Sequence, residues 1–191
     1  MKTASKLLLL LACVCVSSCA FLLGIRTPKE QTQKELDLFL IKKNIDTLNC
    51  FAFRKKAYDS IKQLEYKPGW EKGFKPLQYK AFDKSGKLIA QYASCEGNFK
   101  KLELLKTYPP KNIFPFDSTQ TLQNDLTMYR TYRGEKLVVE QEKYDIIFVV
   151  YWGKWLGRPG LDLIRNIYKY KNVNKNKNIL ILKVNVEEIY S

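Results

Sequence analysis

The sequence predicts a mixed α/β fold of the α+β kind: a small mixed sheet with a C-terminal strand–helix–strand unit, an upstream β-hairpin and N-terminal helices. Three observations predict it. Residues 144–152 (YDIIFVVYW) and 179–186 (ILILKVNV) are nearly continuous apolar runs flanking a helical pattern, as strands buried on both faces require. Residues 77–82 and 88–93 alternate around Asp83-Lys84-Ser85-Gly86-Lys87, a turn containing glycine. Ahead of them, helical spacing dominates from residue 27 to residue 65.

In chain order, Thr27-Pro28-Lys29-Glu30 reads as a helix start. Thr27 is placed to accept from an early N–H, Pro28 suits the first helical position and Glu30 completes a capping box. Leu36, Phe39, Leu40, Ile41, Ile45 and Leu48 then keep roughly helical spacing. A second helix over 54–65 aligns Ala57, Tyr58, Ile61 and Leu64, and Tyr66-Lys67-Pro68-Gly69 ends it. After the hairpin, Asn98 caps a short helix reaching Lys106, and Tyr108-Pro109-Pro110-Lys111 makes an extended linker. Asp117 with Gln120 opens a helix carrying Leu122, Leu126 and Tyr129. Strand 144–152, a helix over 161–170 with Leu163, Ile164 and Ile167 apolar, and strand 179–186 form a right-handed βαβ unit with parallel strands. The organisation expected is a leader over 1–19, a tether and helical region over 20–66, and an α/β domain over 67–191.

Composition narrows function. The chain has 191 residues, 46% hydrophobic and 13% aromatic, which suits one folded domain rather than disorder. Net charge is +14, and loss of the leader's Lys2 and Lys6 leaves +12. Lysines are spread along the chain and concentrated in the Lys/Asn-rich 168–178, the pattern of a solvated face; attraction to an anionic membrane is the next reading, and export argues against nucleic acid. Histidine is absent, which removes Ser-His-Asp and Cys-His catalysis and most catalytic zinc sites. No GxxxxGK[ST], GxGxxG or HExxH motif occurs, and no CxxC pair lies outside the leader, so no cofactor, metal or catalytic residue is implied.

The leader carries a positive start (MKTASK) and an apolar stretch over 7–16, followed by Val16-Ser17-Ser18-Cys19. That tetrad resembles the lipobox of bacterial lipoproteins. The resemblance implies a diacylglycerol on Cys19 and a body in the bacterial cell envelope, facing the periplasm or the exterior. Leu10-Leu11-Ala12-Cys13 also fits but shortens the apolar stretch. The apolar run continues to Ile25; from Leu7 it is 19 residues, enough to span a hydrocarbon core of ~30 Å as an uncleaved anchor. A third alternative is a cleaved, soluble product. The first two make the membrane a partner through the N-terminus.

Of five cysteines, Cys13 and Cys15 lie in the leader and Cys19 is the lipidation candidate. Cys50 and Cys95 remain, and an oxidising compartment makes one disulfide between them the expectation, with two buried thiols as the alternative. The bridge would close a loop of about 45 residues, worth ~3–4 kcal/mol.

The βαβ unit resembles the centre of a thioredoxin-like domain. Tyr151-Trp152-Gly153-Lys154-Trp155 stands where that family approaches its Cys-x-x-Cys, and Lys183-Val184-Asn185-Val186-Glu187 resembles its next strand. The match covers residues 144–188, about a quarter of the chain. Leu156 takes the position of the nucleophilic cysteine and Pro159 that of the resolving one, so the resemblance implies a fold without thiol–disulfide exchange. The family's later hairpin, cis-proline and final helix have no counterpart, and the hairpin at 77–94 is left to supply antiparallel strands. Trp152, Trp155 and Arg158 cluster at the strand-to-helix loop, the ligand position of open α/β sheets, and form the candidate binding loop. Asp145, Asp162, Glu187 and Glu188 sit near element ends, where carboxylates act as caps more often than as bases. The expectation is a membrane-tethered, redox-inactive binding or assembly module for an unknown protein partner. The alternatives are an enzyme using carboxylates or Lys/Tyr near 152–160, and a redox helper acting through Cys50 and Cys95.

Overall fold

The computed structural model describes residues 23–65, 75–93, 106–110, 119–187 and 189–190, with the side chains of 61–65 and 189–190 left aside. The lipobox and Cys19, the 66–69 stop, Cys95, the helix starting at Asn98, Asp117 and Glu188 lie outside the described residues.

The elements run β1 (Gln31–Thr32), α1 (Gln33–Lys42), β2 (Cys50–Phe53), α2 (Lys55–Glu65), β3 (Gln78–Asp83), β4 (Leu88–Ala93), α3 (Leu122–Leu126), β5 (Tyr129–Thr131), β6 (Ile146–Trp152), α4 (Gly157–Val173), β7 (Ile179–Asn185) and β8 (Ile189–Tyr190). Six strands form one mixed sheet in the order β4-β3-β6-β7-β2-β5. β6, β7 and β2 are parallel, while β3, β4 and β5 join antiparallel. Every residue of β6 and β7 is buried, as their apolar runs require, and each large side chain removed from water stabilises by ~1.5–3 kcal/mol. The hairpin extends the parallel unit antiparallel along β6, with Tyr79 opposite Val150 and Ala81 opposite Phe148. Its turn needs Gly86 at φ +78°, and Asp83 Oδ1 accepts the backbone N–H of Ser85 and Lys87.

One face carries α4 and α1. Phe148 meets Tyr170 of α4 edge-on, and Trp152 stacks on Phe39 of α1 with ring centroids 6.4 Å apart. On the other face Tyr151 meets Phe53 and Tyr129 edge-on, and α3 contributes Asp125 to the same cluster.

The structure corrects several expectations. The first helix begins at Gln33, not at Pro28. Thr32 is its N-cap, with Glu35 closing the capping box, because Gln31–Thr32 is held extended as a parallel partner of Ile189–Tyr190. It ends at Lys42, and Asn44 and Asn49 at positive φ turn the chain into β2, leaving Leu48 72% exposed. α3 is capped by Thr121, and Tyr129 starts a strand instead of continuing the helix. The division at residue 66 does not hold either: β2 sits between β7 and β5, so residues 50–53 belong to the same sheet as the C-terminal unit.

The expected Cys50–Cys95 bridge is also corrected. Cys50 is a free, buried thiol opposite Lys183. Ala93 ends β4, four strand spacings away in the sheet order, about 19 Å. Cys95 lies two residues further on, at most about 7 Å of chain, whereas bonded cysteines need Cα atoms within about 7 Å. The sheet therefore keeps Cys50 well away from the end of β4.

Candidate functional site

The candidate loop leaves β6 at the C-terminal end of the parallel strands. Lys154–Leu156 forms a single 3₁₀ turn, and Gly157 at φ +58° redirects the chain into α4. The underside of the turn is held by Glu187. Its carboxylate accepts the backbone N–H of Lys154 at 2.9 Å and of Trp155 at 3.2 Å, and the Asn185 amide at 3.3 Å. Burial raises the Glu187 carboxyl above its ordinary range, and the N–H donors of Lys154 and Trp155 with the Asn185 amide oppose that without offsetting it. Glu187 thus works as a cap, the commoner of the two roles for such carboxylates. Asp145 likewise accepts from the backbone N–H of Asn178, and Asp162 pairs with Arg165.

Of the three residues proposed as a binding loop, the structure places only two near solvent. Trp152 is 1% exposed and belongs to the core, where it stacks on Phe39, so it is corrected from binding anchor to core residue. Trp155 is half-buried, and its indole N–H has no partner among the described residues; Arg158 is exposed. Leu156 is buried at 3% exposure and Pro159 is buried beside it, so the positions matched to the family's two cysteines pack into the core.

The chain's own N-terminal segment lies on this loop. Arg158 N–H donates to Leu23 O at 2.9 Å, and Arg26 N–H donates to Trp155 O at 2.8 Å. Lys154 Nζ reaches Gln31 Oε1 at 2.9 Å. The segment and the loop together border a groove of about 450 Å³ lined by Arg26, Lys42, Lys43, Lys154 and Arg158 over Leu23, Phe39 and Leu161. No acidic residue lines it among the described residues.

Two further polar clusters lie in the sheet. Lys183, 0% exposed, donates from Nζ to Asp46 Oδ1 and to the Tyr168 hydroxyl, both at 2.8 Å, and that hydroxyl donates to Asp46. Burial pushes the Asp46 carboxyl up, but the bonds from Lys183 and Tyr168 outweigh it and hold it below its ordinary range. On the opposite face Lys80 Nζ binds both oxygens of Asp125 at 2.8 and 2.9 Å. The Tyr129 hydroxyl donates to Asp125 and contacts the Tyr151 hydroxyl at 2.6 Å. Cys50 lies beneath Lys183; burial pushes its thiol up to about 12, against the pull of the ammonium.

Sequence reasoning missed the convergence of Arg26, Lys42 and Lys43 on the loop, since their positions carry no local signal. Lys183 did carry one: a lysine in mid-strand within ILILKVNV must find a buried partner. No family model, curated protein or solved structure matches the chain.

Proposed function

We propose that the chain is a membrane-tethered, extracytoplasmic binding or assembly module built on a thioredoxin-like unit that performs no thiol–disulfide exchange. The observation that carries this reading is the head of α4. Exchange chemistry needs a reactive thiolate there, and Leu156 stands in that place, buried, with the backbone of Leu23 laid across the following turn. The parallel β6–α4–β7 unit with β3 and β4 antiparallel beside it supports the thioredoxin-like part, with the hairpin preceding the unit in the chain instead of following it. Among the described residues the one thiol, Cys50, is buried and far from its reactive form. Binding is supported by Trp155 and Arg158 at the C-terminal end of the parallel strands, the position where open α/β sheets take ligands.

Intact mass of the protein from membranes tests the tether. A chain beginning at Cys19 with a diacylglycerol-sized increment is expected; a full-length unmodified chain in the membrane points to a spanning anchor, and a soluble chain ends the tethered reading. Recovery of crosslinked partners from intact membranes, compared between wild type and Trp155→Ala/Arg158→Ala, tests the loop. Loss of partners in the variant is expected, and equal recovery counts against it.

A further inference from the structure

We propose that the basic groove beside the start of α4 is the surface with which the body rests on an anionic phospholipid bilayer. The inference rests on the tethered reading above and adds which face of the body meets lipid.

Position comes first. Leu23 and Gly24 form one wall of the groove, so the segment joining the body to the leader departs from the groove itself. Between Cys19 and Leu23 the chain spans at most about 14 Å, so an anchor at Cys19, or an apolar run through the bilayer, holds this face close to the headgroups. A body on so short a leash has few other faces to offer the membrane.

Charge comes second. Arg26, Lys42, Lys43, Lys154 and Arg158 arrive from three separate stretches of chain and line one concavity. Lys29 joins Arg26 and Lys154 in the adjoining hollow beneath Trp155. Acids on the two helices that border the groove do not line it: Glu35 accepts from Thr32, Asp37 from Gln33 and Asp162 from Arg165, and of the groove's cations Lys154 feels the charge of Glu35 and Glu187. The carboxylate of Glu187 is spent under the loop. The field at the groove is left positive, as a surface facing phosphatidylglycerol-type headgroups requires.

Chemistry comes third. The floor is apolar, made by Phe39, Leu161 and the 38% exposed Leu23. Cations rimming an apolar floor match the boundary between headgroups and acyl chains, where the stems of Lys and Arg lie along hydrocarbon while their charges meet phosphate. A soluble dianion needs no such floor, so an anionic lipid surface fits better than a free phosphate compound.

The test uses the full chain reconstituted into vesicles of phosphatidylcholine alone and into vesicles containing phosphatidylglycerol. Flotation with phosphatidylcholine vesicles reads the tether, and amide hydrogen exchange reads the groove. On phosphatidylglycerol, exchange at 39–43 and 154–158 is expected to slow about tenfold relative to phosphatidylcholine. The difference should vanish in about 0.5 M salt and in Lys42→Ser/Lys43→Ser/Arg158→Ser, with unchanged exchange in β6 and β7 reporting that this variant is folded. Equal exchange on both lipids, in a chain that floats, overturns the groove proposal and leaves the tether standing. Failure to float overturns both. Protection reproduced on phosphatidylcholine by inorganic phosphate alone overturns the lipid assignment in favour of a small-anion site.

Discussion

The backbone carbonyl of Leu23 accepts the N–H of Arg158 at 2.9 Å, so the first turn of α4, which has no side-chain cap, is closed by a segment lying 135 positions earlier in the chain. A helix start normally leaves N–H groups to water or to a Ser, Thr or Asp side chain. Here the partner is main chain, and the arrangement depends on the absence of a side chain at residue 157.

Gly157→Ala should therefore both destabilise the fold and release the N-terminal segment. A Cβ there would lie 2.4 Å from Leu23 O and 2.5 Å from Gly24 C and O, all backbone atoms, and φ is +58°. The expected loss is about 2–4 kcal/mol in urea unfolding. Limited proteolysis should cut within 23–30 faster than in wild type. An unchanged midpoint and cleavage pattern would show that the segment does not depend on this contact.

Asp125→Ala should be among the most damaging single changes in the sheet. It strands the Lys80 ammonium, whose side chain is 9% exposed, and removes an acceptor from Tyr129. Leaving a buried charge without its partner costs about 3–5 kcal/mol. The double variant Lys80→Met/Asp125→Leu should recover most of that loss, since an apolar pair of similar volume needs no counter-charge. Urea midpoints of the three proteins decide the matter.

Glu187→Gln should change how stability depends on pH. Burial raises the Glu187 carboxyl in the folded state, so between its unfolded and folded values the native protein binds more protons than the unfolded chain. Wild-type stability must then fall as pH rises through that window, starting from the ordinary carboxyl range near 4.5. Glutamine has no such titration. The stability of Glu187→Gln relative to wild type should increase from pH 4 to pH 7, by about 1 kcal/mol or less, because the N–H donors of Lys154 and Trp155 favour the charged form. Thermal melts across that range provide the measurement.

Cys50 should be inert in the native protein. With its thiol pushed up to about 12 by burial, almost none is thiolate at pH 8. Alkylation at Cys50 should require unfolding, and peptide mapping without reductant should show no Cys50–Cys95 cross-link. Rapid native labelling, or a cross-linked peptide, would contradict the sheet register that separates Cys50 from β4.

What the sequence made legible follows from the range of the forces involved. β6 and β7 announce themselves as long apolar runs, and the β3–β4 turn carries Asp83 and Gly86 at the positions its geometry demands. Four-residue β2 and three-residue β5 were invisible: CFAF between two helical patterns has no period of its own, and it becomes a strand because β7 and β5 pair with it. The helix start was misplaced by five residues because two capping-box patterns, at Thr27 and Thr32, compete locally, and β8 pairing with β1 decides between them. Of the proposed loop, Trp155 and Arg158 reach solvent and Trp152 belongs to the core, since a tryptophan at a strand end looks the same in sequence whether it closes the core or awaits a ligand. The basic groove draws on residues 26, 42, 43, 154 and 158, and no local pattern links positions so far apart.

The strand order has a consequence for biosynthesis. β6 and β7 sit in the middle of the sheet yet are the last of its strands to be made, and until they emerge β3 and β4 can pair only with each other, as can β2 and β5. Neither two-stranded ribbon is stable in water alone. The nascent chain is therefore held back from its native fold until nearly its whole length has been synthesised.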